Sequence, residues 1–495
     1  MKKNQSLQKQ GKQEERNKVM GYLEKKNGGN REIVILTYLM IGLLLALSVY
    51  FGYYLVLKSG TVINSTYNKR SSLLEKRIIR GTIYSADEKV LAETVCDDYG
   101  NTERQYPFGS IFVHMIGRYD RGKTGLELSE NFHMLRSNIN PIVKIANELK
   151  GERNPGDNII TTLNTKLQKV AYNALGTYRG AVVAIEPDTG KLLAVVSKPD
   201  YDPENLDKDT WEALADNKDG SSRLLNRATQ GLYPPGSTFK ILTTLEYMRE
   251  NKKSKNYHYD CGGKGVFDKV KIKCYGNSVH GLLDLKSSFA LSCNTSFANI
   301  GIIINKKSFR KLCDSFLFNT ELPVSIACKQ SSFVIDENSE DKDMPQTAIG
   351  QGKTMITPIH NAMIIASIAN TGILMKPYVV DRRENAYHEV ISKTVPSEYG
   401  RLMSQKEAAK LTEYMEAVIE EGTGSGLKGA NYQAAGKTGS AEYDSTGNTH
   451  AWFVGFAPMD HPKIAISVLV EEAGSGGTYA LPVAKAVFDE FFKEK

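Results

Sequence analysis

Histidine is scarce in this 495-residue chain: there are eight, scattered, and none belongs to an H-E-x-x-H pair. The six cysteines offer no second pair and no neighbouring histidine cluster to complete a zinc-type spacing. Neither a metal nor another cofactor is therefore expected. No segment repeats at a fixed period, which excludes a solenoid or propeller. Charge of one sign is lacking except in the N-terminal tail, which is also the only low-complexity block. Of the formal +7, residues 1–32 supply +5 (nine Lys/Arg against four Asp/Glu), leaving +2 for everything after them. That excludes a nucleic-acid-binding body. With 41% hydrophobic and 24% charged residues, disorder over the whole chain is excluded too. The length suggests two or more domains around a large core.

Long apolar runs are absent but for one. Residues 33–57 carry no charge, a stretch of about 37 Å as a helix against a hydrocarbon core of about 30 Å. A cleaved signal peptide is the rival reading, but it needs a shorter apolar region and a small-x-small site that "LVLKSGTV" does not clearly offer. The expectation is one uncleaved membrane anchor. Lys25, Lys26 and Arg31 favour a cytoplasmic N-terminus, while Lys58, Lys69 and Arg70 weaken the contrast. With that topology the rest of the chain lies outside the membrane, all six cysteines included. Cys261 and Cys274 bracket "CGGKGVFDKVKIKC", whose alternation reads as a hairpin. A disulfide there suits an oxidising exterior, and two free thiols is the alternative.

The chain divides into a basic tail (1–32), the anchor (33–57), a mixed spacer (58–155) and a regular region (156–495). In the last, "LNTKLQKVAYNALG" predicts a helix capped by Asn164 and stopped at Gly176. "GAVVAIEPDTGKLLAVVSKP" reads as two strands around a Pro-Asp-Thr-Gly turn. "TGSAEY", "HAWFVGFAP" and "KIAISVLVEE" read as three more, and "LPVAKAVFDEFF" as a closing helix. Between Asp200 and Asn431 the pattern is mainly helical, as in "TPIHNAMIIASIANTG" with Thr357 as cap. The economical fold is α+β: one antiparallel five-stranded sheet built from both ends of the region, flanked by helices, with a large helical insertion.

Three short motifs carry chemistry when taken in order. "YPPGSTFK" places Ser237 in a first helical turn with Lys240 three residues on, stacking amine over hydroxyl. A helix N-terminus also offers free N–H groups to developing negative charge. "LSCNTSF" sets Ser292 and Asn294 inside an apolar helical stretch, where buried polar groups need partners or a function. "AAGKTGSAEY" begins a strand with Lys437, Thr438, Gly439 and Ser440, and Gly439 admits a close backbone approach. Singly each is common; as S-x-x-K, S-x-N and K-T-G they become specific.

In these motifs the sequence resembles the penicillin-binding proteins, in particular the membrane-anchored monofunctional transpeptidases of class B. "RGTIYSADEKVLAET", "RQYPFGSIFVHMIG", "LLNRATQGLYPPGSTFK", "AIGQGKTMITP" and "HAWFVGFAP" also look like family segments, so the resemblance runs from about Arg80 to Phe492. Ser-Ala-Asp stands where Asp-Arg-Asn is more usual. The resemblance also disposes of "GRYDRGKTG", which fits both a P-loop and a second K-T-G: in the family it is a variable loop ending in Gly-Leu-Glu. Lys123 is thus a decoy, and no nucleotide is expected.

The resemblance implies a serine acyl-enzyme on peptidoglycan stem peptides, with covalent inhibition by β-lactams. Ser237 is the expected nucleophile and Lys240 the base, with Ser292 as proton relay and Asn294 orienting substrate and Lys240. Thr438 and Ser440 are expected to hold the terminal carboxylate, aided by Lys437, and the N–H groups of Ser237 and Ser440 to form the oxyanion hole. An ordinary lysine at pH 7 is neutral about once in 2,500, a penalty of about 4.6 kcal/mol, so Lys240 needs burial and the Lys437 charge to lower its pKa. A D,D-carboxypeptidase or β-lactamase of the same fold, and a β-lactam sensor or inactive scaffold, are the alternatives. Glycan polymerisation falls to a separate partner, a membrane polymerase of the SEDS family acting on lipid-linked nascent glycan.

Overall fold

The computed structural model describes residues 2–54, 70–120, 122–204, 206–444 and 446–493, with the side chains of 2–7, 23–30 and 70–72 left aside. The last residues of the expected anchor, the opening of the spacer and the charges of Lys25, Lys26, Lys58, Lys69 and Arg70 lie outside that description. The chain forms two units, Met1–Lys69 and Arg70–Lys495.

In the first unit one helix, α1 (Lys2–Tyr53), takes in both tail and apolar run. Its segment Arg31–Tyr53 is 23 residues long and apolar enough to cross a membrane. Thr37 and Ser48 return their hydroxyls to the carbonyls of Ile33 and Leu44 at 2.7 and 2.8 Å, so these two hydroxyls are satisfied within the helix.

The second unit is organised by a five-stranded sheet. Its strands are β1 (Gly180–Ile185), β2 (Leu192–Lys198), β3 (Ala435–Glu442), β4 (Thr449–Ala457) and β5 (Ile464–Val470). They lie in the order β3-β4-β5-β1-β2, every pair antiparallel. Period-two alternation splits each strand between two cores. Val183, Val195, Val454 and Leu469 join one apolar cluster, while Val182, Val196, Phe453 and Val468 join the other. Both faces are covered, which is why the strands read as unbroken apolar runs.

The covering helices follow the expected caps. α2 (Thr165–Ala174) starts on Asn164, whose side chain accepts from the N–H groups of Lys166 and Leu167. Between β2 and β3 come α3 (Lys240–Glu250), α4 (Asn294–Ile303), α5 (Pro358–Ala369) and α6 (Gln405–Glu420). α5 opens on Thr357, which accepts from His360 N–H. α7 (Gly476–Phe492) packs with α2 in the second cluster, and α5 fills the first. The fold is thus the expected one: a sheet from both ends of the region and a helical insertion between its halves.

A second sheet, of six strands, runs Val390–Lys393, Val380–Glu384, Asn158–Thr161, Ile83–Tyr84, Val90–Cys96, Thr102–Gln105. Residues on either side of position 155 therefore share one sheet.

Candidate active site

The Pro-Pro-Gly turn and the 3-10 turn that follows it, just ahead of α3, lie against β3 and β4. Trp452 donates its indole N–H to Pro234 O at 3.0 Å, and Gly236 N–H donates to Gly350 O at 2.9 Å. Gly236 has φ +53°, and a Cβ there would meet Ser440 O and Ala441 Cβ at 2.9 Å. Only glycine lets the turn come this close to the strand. Ser237 lies in the 3-10 turn Gly236–Phe239, partly exposed, and the turn runs directly into α3. In a 3-10 turn side chains three apart eclipse, so Ser237 and Lys240 share one face.

Lys240 is fully buried. Its ammonium donates to Ser292 O and Asn294 Oδ1, each at 2.7 Å, and more distantly to Ser292 Oγ at 3.4 Å. Ser292 holds a left-handed backbone, φ +54°, uncommon for a residue with a side chain. The next residue, Cys293, is the N-cap of α4, its sulfur accepting from Ser296 N–H. From β3, Lys437, also fully buried, donates to Ser292 Oγ at 2.8 Å and Thr438 O at 3.0 Å. All three motifs thus converge on one hydroxyl, and among the described residues neither ammonium has a carboxylate partner.

Burial is the main force on both lysines. It lowers Lys240 from 10.5 to about 8, against a smaller opposing pull from Cys293 and Cys274. Lys437 is lowered well below 10.5, by burial first and then by the Lys240 ammonium. The sequence expectation named burial and the Lys437 charge together; burial alone lowers Lys240, and the charge effect is felt at Lys437 instead. A pKa near 8 makes about 1 lysine in 10 neutral at pH 7 and removes ~3 kcal/mol of the cost of a free base.

β3 is an outer strand of the sheet. Turned to satisfy its neighbours, the Gln351 amide donates to Glu442 O at 3.2 Å and accepts from Glu442 N–H at 3.0 Å. The backbone groups of Glu442 therefore face away from β4, and by period two so do those of Ser440 and Thr438. Thr438 is buried, its hydroxyl paired with Thr423, while Ser440 is partly exposed. A Cβ on Gly439 would lie 3.1 Å from Trp452 and 3.2 Å from Thr238. The strand thus packs tightly at Gly439 against Trp452 and Thr238.

Some positioning residues went unread in the sequence. Buried Arg227 and Tyr233, flanking the approach to Ser237, both donate to Glu471 Oε1, at 2.8 and 2.6 Å, and Arg179 takes Oε2 at 2.9 Å. Glu471, directly after β5, ties that approach to the sheet; a charge following an apolar strand was the available signal. Elsewhere, fully buried Glu127 of the Gly-Leu-Glu stretch accepts from Arg80 at 2.7 Å and Arg104 at 2.8 Å. Lys123, expected to be a decoy, pairs with Glu75 at 2.9 Å and sits over Tyr119, whereas Lys240 and Lys437 gather at Ser292.

Of the two alternatives for the cysteine pair, the structure has the free thiols. The hairpin forms, Lys264–Phe267 against Val270–Lys273, yet Cys261 and Cys274 are free thiols with sulfurs 3.7 Å apart. Cys293 is buried as expected, but its sulfur is 3.7 Å from that of Cys274, and His280 Nδ1 is 3.3 Å from that of Cys261. A group the spacing did not reveal is thus assembled by the fold.

Similarity to known proteins agrees with this geometry. Residues 180–493 match the penicillin binding protein transpeptidase domain. The chain is 32% identical over 457 residues to peptidoglycan D,D-transpeptidase PbpA of Mycolicibacterium smegmatis, covering 86% of this chain and 92% of that one. Peptidoglycan D,D-transpeptidase MrdA of Acinetobacter baumannii is 28% identical, over 78% of this chain and 65% of its own length. Among solved structures, an imipenem acyl-enzyme complex of penicillin-binding protein A from M. tuberculosis superposes with a TM-score of 0.77 at 31% identity, over 84% of this chain and 99% of that one. The chain belongs to the penicillin-binding protein transpeptidase family, in its class B branch.

Proposed function

We propose that the protein is a peptidoglycan D,D-transpeptidase that works through an acyl-enzyme on Ser237 and is inhibited when a β-lactam acylates the same residue. The observation that carries this is the pair of buried lysines around Ser292 Oγ, beside a partly exposed Ser237 at the start of α3. Two buried amines without a carboxylate counter-ion are costly to hold charged, so one serves as a base near neutral pH. In the acylation step Lys240 takes the Ser237 proton as Oγ bonds to the carbonyl carbon between the terminal D-alanines. The C–N bond then breaks, and the departing amine receives a proton from the lysine pair through Ser292. In the second step the amine of a neighbouring stem attacks the ester, returns the proton to Ser237 and completes the cross-link.

Asn294 holds Lys240 and presents its amide to the substrate. The outward edge of β3 accepts the substrate as an added strand, with the N–H groups of Ser237 and Ser440 toward the oxyanion. Thr438 and Ser440 meet the terminal carboxylate, whose arrival favours a proton on Lys437. Gly439 keeps this stretch flat against Trp452.

Residues 1–32 form the cytoplasmic tail in this reading, 33–57 a single span of a bacterial cell membrane, 58–155 a pedestal and 156–495 the catalytic domain outside. The apolar Arg31–Tyr53 segment supports the span. The class B resemblance carries the partner: a SEDS-family polymerase supplying lipid-linked glycan. Labelling with a fluorescent penicillin tests the whole reading. Wild type should label and Ser237→Ala should not; labelling of Ser237→Ala at wild-type levels would refute the nucleophile.

A further inference from the structure

Four side chains meet directly behind the S-x-N motif. Cys261 ends the strand His258–Cys261, Cys274 follows the hairpin, His280 precedes the strand Gly281–Asp284, and Cys293 lies between Ser292 and Asn294. Their ligand atoms, three sulfurs and Nδ1, all lie within 4.8 Å of one another. The three cysteines are fully buried or nearly so, and His280 is partly buried.

The spacing matches a coordination sphere. Around a zinc ion with Zn–S of about 2.3 Å, tetrahedral geometry sets sulfurs about 3.8 Å apart, and a sulfur and a nitrogen about 3.6 Å apart. Here two S···S separations are 3.7 Å and the S···N separation is 3.3 Å. A disulfide requires about 2.05 Å and would use two of the three sulfurs, stranding the third. Further donors reach the sulfurs, and the Thr295 hydroxyl touches all three, also lying 3.4 Å from Cys293 and 3.6 Å from Cys274. Gly263 N–H and Thr295 Oγ reach Cys261 at 3.4 and 3.2 Å, and Ser296 N–H reaches Cys293 at 3.4 Å. Such hydrogen bonds orient and stabilise thiolates in the outer shell of a metal site. Gly263 has φ +83°, which turns its N–H back toward Cys261.

We infer that Cys261, Cys274, His280 and Cys293 form a closed structural site for a zinc-type divalent cation, which clamps the S-x-N turn. Binding displaces a proton from each thiol, leaving three thiolates and a neutral imidazole as the complete ligand set. With four protein ligands there is no open position, so the ion is structural and takes no part in acyl transfer. Its effect is positional. It fixes Cys293, and with it the left-handed Ser292 and the first turn of α4 that carries Asn294. It also ties that turn to the hairpin, since Asn294 Nδ2 donates to Lys273 O at 3.0 Å. In an oxidising exterior the ion would also keep three clustered thiols from pairing.

The test is metal analysis of the full chain purified in detergent under reducing conditions. About one zinc per chain is expected. Exchange for cobalt(II) should give the thiolate-to-cobalt charge-transfer band and the strong visible bands of a tetrahedral site. Cys261→Ser and His280→Ala, both outside the S-x-N motif, should lose the metal. His280→Cys should retain it with a stronger charge-transfer band, which separates loss of a ligand from loss of the fold. Wild-type protein that holds no zinc and gives no tetrahedral cobalt spectrum would overturn the site. So would recovery of a Cys261–Cys274 disulfide throughout a non-reduced digest of protein purified without reductant. Neither readout depends on penicillin labelling, so the metal site and the acyl-transfer reading can fail separately.

Discussion

Lys240 and Lys437 hold the same hydroxyl: Ser292 Oγ accepts from one ammonium at 3.4 Å and from the other at 2.8 Å. The relationship makes acylation depend on pH. Lys240 is faced by Lys437 from β3, by the Cys293 and Cys274 sulfurs, and by the Phe297 ring at 5.2 Å. Its neutral form increases as pH rises toward about 8. The second-order rate of acylation by benzylpenicillin should climb about tenfold per pH unit below that value and level off above it. A rate flat from pH 6 to 9 would remove Lys240 as the base. The stability sign follows from the same values. The native lysine loses its proton near 8 while the unfolded one keeps it to 10.5, so this residue's contribution becomes more favourable as pH rises through that window.

Ser292→Ala leaves two buried ammoniums facing each other and removes the Lys437 acceptor. Acylation should fall by about 10²-fold, and unfolding should cost about 1–3 kcal/mol less. Stopped-flow labelling and a denaturant titration measure the two effects separately.

The decoy lysine gives a sharp contrast. Lys123 is half-exposed and paired with Glu75, so Lys123→Ala should leave penicillin labelling nearly unchanged. Lys437→Ala should reduce it at least tenfold, more than about 1.4 kcal/mol of transition-state stabilisation. Equal losses would mean that the loop around Lys123 belongs to the site.

No carboxylate contacts the lysine pair among the described residues, so none is placed there to activate water against the acyl group. A penicilloyl-enzyme should persist for minutes, with mass added only to the peptide bearing Ser237. Intact-mass spectra over time check this; return to the free mass within seconds would mean a β-lactamase.

Glu127 tests the other end of the second unit. Burial alone would raise its carboxyl, but Arg104 and Arg80 outweigh it and hold it lowered. Its stabilisation is present above the ordinary value of 4.5 and is lost as pH falls through the lower native value. Glu127→Gln should cost about 3–5 kcal/mol, because two guanidiniums lose their counter-charge, and should flatten acid unfolding in that window.

What could be read from the sequence was what is local. Asn164 and Thr357 cap as expected because capping acts over three residues. The strands of the main sheet were visible because both faces are buried and the runs are apolar. The three motifs were legible as short strings, although nothing in them shows that Ser292, not Ser237, would be the hydroxyl both lysines grip. Contacts closed over long loops were invisible. Arg227 meets Glu471 across 244 positions. Cys261 and Cys293 meet because a hairpin folds back between them, so the cysteine spacing alone suggested a pair where the fold gathers a group. Positions 380–393 join the sheet containing residues 83–105, and no local pattern announces a partner that distant.

Gln351 occupies the rim of β3 beside Glu442, as a single side chain imitating one residue of a neighbouring strand. The ladder beyond it is consequently a berth of limited length. A whole foreign strand running on past Glu442 would collide with the amide, which leaves the ladder alongside Thr438 and Ser440 for the short extended peptide of the proposed function. In the proposed function, where this edge takes the substrate, the same amide limits pairing of the edge with another copy of the chain.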